Sequence, residues 1–420
     1  MQRLWRNISA LDLVNFFLAD VRGAFGPYLG VFLVSQQQWN QAAVGLVATV
    51  GGLAGLAVHA PWGALIDAAR CKRALIVTGL TVLALGAMAV AWWPSLAVVM
   101  TAKTVMAVAG AGFGPAVAAM TLGLCPPQAL ARRLGRNAAW DHAGNVTIAL
   151  VAGAVGFWLS QRAVFFLVPV CASIAAMAVF SIPASAIDHA RARGLEPSNE
   201  RENGTIPADG TPTPSGLQVL LTCRPLLVLA CYAALFHFAN AAMLPLVGQK
   251  LALAYKGQET ALMSACVIAA QAVMLPMALL VGARAEAWGR KPLFLVACAA
   301  LPLRGVLFTL SDDRFWLVAV QLLDGVGNGL FGALTPLVLN DFMRGTGRYN
   351  IAAGTVATLQ GIGAALSHGI AGFIVVTAGY DIAFLTLAAL ACVAFATCLI
   401  GMPETGRRDS PTCPSVADQW

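Results

Sequence analysis

Apolar runs alternate with short polar breaks along nearly the whole chain. The runs fall at 11–34, 42–66, 74–93, 97–124, 137–159, 163–185, 225–247, 259–283, 292–311, 315–339, 351–377 and 382–402. A helix rises about 1.5 Å per residue and bilayer hydrocarbon is about 30 Å thick, so each run is long enough to cross it once. The pattern predicts an all-α membrane protein with twelve transmembrane helices. One break differs from the rest: 188–222 contains GLEPSNERENGTIPADGTPTPSG, whose Pro, Gly, Ser and mixed charge cannot bury a core. It predicts a flexible linker between six helices at 1–187 and six at 223–402, with a polar tail at 403–420.

Composition narrows the class. Of 420 residues, 59% are apolar and 11% charged, with a mean hydropathy of +0.76; a soluble domain carries about 25% charged residues. A disordered chain, a secreted disulfide scaffold and a soluble enzyme are excluded, because none keeps so much apolar surface in water. The ten cysteines are scattered without a CxxC pair and read as small apolar residues. A net charge of +7 would fit a nucleic-acid partner, but the bases cluster in the breaks, as at Arg132, Arg133 and Arg136. Nineteen of the 26 Lys and Arg fall on one side of the predicted spans and four on the other. By the positive-inside rule both termini and the linker face the cytoplasm, and the partner is a lipid bilayer rather than nucleic acid. The basic start resembles a signal peptide, yet Asp20 and Arg22 interrupt the apolar run and no small-residue cleavage site follows. The first run is therefore read as a retained helix.

A repeat links the two halves. GALIDAARCKRAL begins at Gly63 after the second run, and GARAEAWGRKPLF begins at Gly282 after the eighth, 219 residues later. Each has a glycine, an acid four residues on (Asp67, Glu286) and then a basic cluster. Small glycines would let two helices approach closely, and the acid would face a helix N-terminus or pair with an arginine. The bases alone could also serve only to fix topology. With twelve runs and a central linker, the repeat resembles the loop motif of the major facilitator superfamily. Gly63, Asp67 and Lys72 fit the first copy, and Gly282, Glu286, Gly289, Arg290 and Lys291 fit the second. Lys103 followed by AVAGAGFGP resembles the fourth-helix motif of the same family, with lysine where arginine is usual. The fifth run keeps the small residues of the family's antiporters but lacks their proline.

Five ionisable residues, Asp20, Arg22, Lys103, Arg304 and Asp324, fall inside runs. Each costs about 2.5–3.5 kcal/mol at mid-bilayer on insertion scales unless it meets a partner or water. Gln321, Asp324, Asn328 and Thr335 share one helical face, and His237 and Asn240 are three apart. The resemblance implies that helices one, four, seven and ten line a central cavity, which makes Arg22, Lys103, His237, Asn240 and Asn328 substrate-cavity candidates. Asp20 and Asp324 are the proton-coupling candidates; a structural ion pair is the competing reading for each. The three interior bases favour an anionic solute, and local pairing is equally open for Arg304. His237 and His368 read as packing residues before proton relays.

No ATP-binding loop, HExxH or nucleophile with a base is present, so neither an enzyme nor a cofactor or metal is expected. The resemblance implies a secondary transporter in two six-helix bundles that works by alternating access, as a monomer in a bacterial inner membrane. Its glycine-rich helices resemble those of exporters, which favours proton-coupled efflux of a small organic solute such as a siderophore, drug or metabolite. Proton-coupled uptake of an organic anion or siderophore is the alternative. A scaffold that has lost transport, or a channel, would have less reason to keep buried charges and gate motifs.

Overall fold

The computed structural model describes residues 2–405 apart from 24, 70, 189–190, 194–215, 345 and 347. Its regular elements are helices: α1 (Gln2–Gly23), α2 (Phe25–Ser35), α3 (Gln41–Ala57), α4 (His59–Ala68), α5 (Lys72–Trp92), α6 (Leu96–Gly110), α7 (Phe113–Leu124), α8 (Pro127–Trp158), α9 (Gln161–Val164) and α10 (Leu167–Ser181). After the predicted linker come α11 (Gly216–Thr222), α12 (Arg224–Ala241), α13 (Met243–Ala254), α14 (Glu259–Trp288), α15 (Arg290–Leu307), α16 (Arg314–Val320), α17 (Leu322–Phe342), α18 (Tyr349–Ala378) and α19 (Tyr380–Gly401). Most of the linker lies outside the described residues, but its last seven positions form α11. The tail from 406 onward lies outside them too.

Eight helical stretches among the described residues are long and apolar enough to cross a membrane, and a ninth if the bent pair α3 and α4 is one span. The first, fifth and ninth predicted runs are helical but fall short. The first is divided between α1 and α2, α8 carries Asp141, His142 and Asn145, and α15 carries Arg290, Lys291 and Arg304. Nine crossings thus rest on length and apolarity, and the other three do not. Large side chains such as Leu85, Trp158, Phe315 and Ile400 are exposed. Helices that are apolar outside as well as inside are what a lipid solvent requires.

Local chemistry fixes the helix ends. The Asp313 carboxylate accepts the N–H groups of Phe315 and Trp316, each at 2.9 Å, and so caps α16. Gly289 has φ +87° and joins α14 to α15, a left-handed conformation that favours glycine. Of the cysteines read as apolar, Cys125, Cys171, Cys266, Cys298 and Cys398 are buried free thiols, whereas Cys223 is disulfide-bonded.

The chain divides into two compact units. The first comprises residues 1–29 and 54–212, with α1 packed on α8 and α10, α10 on α5, and α5 on α6. In it Asp12 of α1 holds two bases of α8, Arg133 at 2.8 Å and Arg136 at 2.6 Å.

The second unit comprises residues 30–53 and 213–420, so most of α3 belongs to it. There the Thr49 hydroxyl donates to the Ala365 carbonyl at 2.6 Å and accepts from the Gly369 N–H at 2.9 Å, tying α3 to α18. Its core is aromatic: Phe236 and Phe331 stack with centroids 4.6 Å apart, and Tyr232 meets Phe294 edge-on at 5.4 Å. A Cβ at Gly325 would run into the Ala270 carbonyl, so α17 lies close on α14 with Asp324 in the preceding position.

Candidate functional site

Within the second unit, Arg304 lies in the last turn of α15 with no exposed surface. Its Nη1 donates to Asp324 Oδ1 at 2.6 Å and to Asn240 Oδ1 at 2.5 Å, and its Nε donates to Gln321 Oε1 at 2.9 Å. Asn328, one turn beyond Asp324 on α17, donates to the same Asp324 oxygen at 2.9 Å and accepts from Asn240 Nδ2 at 3.2 Å. Three helices, α12, α15 and α17, thus converge on one ion pair and three amides. The spacing of Gln321, Asp324 and Asn328 on one face makes this possible. The Arg304 guanidinium also lies 5.4 Å from the centroid of the Phe308 ring.

A buried ion pair is stable only when geometry and extra hydrogen bonds offset desolvation, and loss of one partner costs about 3–5 kcal/mol. Here satisfaction is incomplete. Arg304 Nη2 and Gln321 Nε2 are buried and have no hydrogen-bond partner among the described residues. Both are N–H donors, so whatever meets them must accept.

The sequence candidates are only partly brought together. Asn240, Asp324 and Asn328 join one cluster, to which the structure adds Arg304 and Gln321. His237 is turned aside: its Nδ1 donates to the Ala233 carbonyl at 3.1 Å, which leaves Nε2 to accept from Gln360 Nε2 at 2.9 Å. Thr335 bonds back to the Phe331 carbonyl at 2.7 Å instead of joining the cluster. Lys103 is half-buried on α6 in the first unit. The side chains of Asp20, Arg22 and Asp67 lie outside the described residues.

At the loop motifs, no atom other than the helix's own backbone lies within 4 Å of where a Cβ at Gly63 or Gly282 would stand, among the described residues. Lys72 folds back, its Nζ 2.6 Å from the Ile66 carbonyl and 3.3 Å from that of Ala69, where it neutralises the C-terminal end of α4. In the second copy the acid Glu286 is exposed. Its charge acts on Arg290, where two further carboxylates also converge. Asp341 of α17 pairs with Arg290, and Glu404 accepts the N–H groups of Arg290 at 2.7 Å and Lys291 at 3.3 Å at the start of α15. The tight glycine is Gly289, where a Cβ would stand 2.7 Å from the Glu404 carboxylate.

Asp12, Asp341, Glu404 and Gln360 are the polar partners that the sequence reading missed. The signal for Asp341 was available, because it stands just past the tenth run and three residues before the basic break at 344–348. Nothing in the sequence pairs Glu404 with a helix start 114 residues away.

Comparison with known proteins places these features in context. The family profile described as Major Facilitator Superfamily matches residues 11–303. Two curated relatives from Mycobacterium tuberculosis, the MFS-type transporters MT2531 of strain CDC 1551 / Oshkosh and Rv2456c of strain ATCC 25618 / H37Rv, are each 48% identical over 400 residues, covering 95% of this chain and 94% of theirs. Among solved structures, a bacterial homologue of the human lysosomal transporter Spinster, described as inward-facing and unoccupied, superposes with a TM-score of 0.77 at 13% identity, covering 95% of this chain and 97% of that one. The nucleoside transporter NupG superposes with a TM-score of 0.72 at 14% identity, covering 94% and 98%. At such identities these likenesses concern the fold.

Proposed function

Since the chain belongs to the major facilitator superfamily, a family of secondary transporters and not of enzymes, we propose that it couples solute movement to protons through Asp324. The observation that carries this reading is the Arg304–Asp324 pair, 2.6 Å apart inside the second unit. Ionised, Asp324 neutralises Arg304; protonated, it loses the Coulombic part of the contact and frees the guanidinium for another partner. A solute that binds while Asp324 is protonated moves in the same direction as the proton. An inward proton gradient then drives uptake, and import of a small organic solute is the reading that the geometry favours. Export, which the glycine-rich fourth and fifth runs favour by resemblance, is the second reading.

The rest of the reading follows the sequence. Halves at 1–187 and 223–402 flank a cytoplasmic linker, both termini face the cytoplasm of a bacterial cell, and the monomer transports by alternating access. Asp20 is a second proton site, with Arg22, Lys103 and His237 as solute contacts. The test places the purified protein in vesicles with a pH-sensitive dye in the lumen and adds concentrated culture medium outside. Solute entry with a proton acidifies the lumen in the wild type and not in Asp324→Asn. Acidification that survives this substitution removes Asp324 from the coupling step. A solute that builds up inside deletion cells and is missing from their medium supports export.

A further inference from the structure

The interior cluster of the second unit has one feature that the ion pair leaves unexplained. Arg304 Nη2 and Gln321 Nε2 are both without a hydrogen-bond partner, on side chains with no exposed surface. The two residues are joined by the Arg304 Nε to Gln321 Oε1 bond, so the orphaned donors belong to one polar group. Of the acceptors nearby, Asn240 Oδ1 takes Arg304, Asn328 Oδ1 takes Asn240, and Asp324 Oδ1 takes both Arg304 and Asn328, which leaves Asp324 Oδ2. Once that oxygen carries a proton it donates, and a cationic or donor-rich solute would find little there to accept its hydrogen bonds. An acceptor would find two free donors.

The charge count sharpens this. The cluster holds one base, one acid and three neutral amides, from Asn240, Gln321 and Asn328. Around the pair, α14 contributes the Cys266 thiol as its titratable group. His237 of α12 is engaged with Gln360 of α18, while α19 presents Phe384 and Ala388 beside Gly305. With Asp324 protonated the cluster carries a single positive charge. A monoanion restores neutrality, whereas a dianion leaves a buried net charge, which desolvation penalises. A planar carboxylate matches the guanidinium fork better than a spherical ion does.

We infer that Arg304 and Gln321 form the binding site for the carboxylate of a monoanionic organic solute, which takes the place of the Asp324 carboxylate on Arg304 once Asp324 is protonated. The inference rests on the coupling role proposed for Asp324 and specifies its substrate class. One proton then accompanies one monoanion, and the pair crosses without net charge.

Full-length protein in detergent tests this by thermal unfolding with sodium acetate and sodium benzoate, against benzamide and sodium chloride at matched concentration. Asp324→Asn leaves Arg304 without a counter-ion, so both carboxylates raise its Tm at concentrations roughly tenfold lower than for the wild type at about pH 8, and benzamide does not. Asp324→Ser, a second neutral variant, gains the same response and serves if Asp324→Asn does not fold. Arg304→Gln with Asp324→Asn, a neutral pair, shows no carboxylate response. Equal responses to benzoate and benzamide, or a carboxylate response retained without Arg304, overturn the site. The two proposals fail separately: coupling intact in Asp324→Asn removes the proton role alone, and carboxylate-blind Asp324→Asn protein removes the substrate class alone.

Discussion

Glu404 Oε1 receives the backbone N–H of Arg290 at 2.7 Å although 114 residues separate the two in sequence. The same carboxylate takes the N–H of Lys291, so a residue just past the last helix caps the first turn of α15. Glu404→Ala is expected to cost about 1 kcal/mol, as for loss of other helix caps, and Glu404→Gln less, since an acceptor remains. Gly289→Ala is expected to cost more, about 1–3 kcal/mol, because it meets an unfavourable φ and the Glu404 carboxylate together. Thermal unfolding in detergent ranks the three, and a Gly289→Ala protein as stable as wild type would overturn the argument.

Removal of either member of the Arg304–Asp324 pair strands a charge in the interior. Arg304→Gln and Asp324→Asn are each expected to destabilise by about 3–5 kcal/mol, and the double variant by clearly less than their sum. A double-mutant cycle that closes additively would mean the two side chains do not depend on each other.

Two arginines on Asp12 differ in surroundings and so in worth. Arg133 has a side chain 4% exposed, against 48% for Arg136. Loss of Arg136 as alanine is expected to cost within about 1 kcal/mol and to matter less still at high salt. Arg133→Ala removes a buried partner and costs several times more. Equal losses would show that burial does not set the strength of this contact.

The membrane orientation gives a further test. With exposed cysteines replaced by serine, a cysteine at position 312 is expected to react with an impermeant maleimide in intact cells, and one at 286 only after the membrane is opened. The reverse pattern would invert the topology read from the distribution of Lys and Arg.

How much was legible in the sequence follows from the range of each interaction. Helices and breaks could be read because they depend on local apolarity, and the shared face of Gln321, Asp324 and Asn328 follows from helical period alone. What Arg304 would touch could not be read, since Asn240 is 64 residues away on another helix. The repeat located Gly63 and Gly282 and the basic clusters that follow them. It could not show that Lys72 would bend back onto α4, or that Asp341 and Glu404, outside the motif, would meet Arg290 and Lys291. Periodicity speaks for one helix at a time, whereas the partner of a buried charge is decided by packing between helices.

The membership of residues 30–53 in the second unit bears on how such chains can be recombined. A hybrid with a relative joined at the central linker would keep the ends of the sequence intact but give Thr49 a foreign partner for its bonds to Ala365 and Gly369. The interchangeable piece in this chain is therefore discontinuous. Exchanges that carry 30–53 together with 213–420 keep those contacts between native partners, and drift in one segment must be matched in the other.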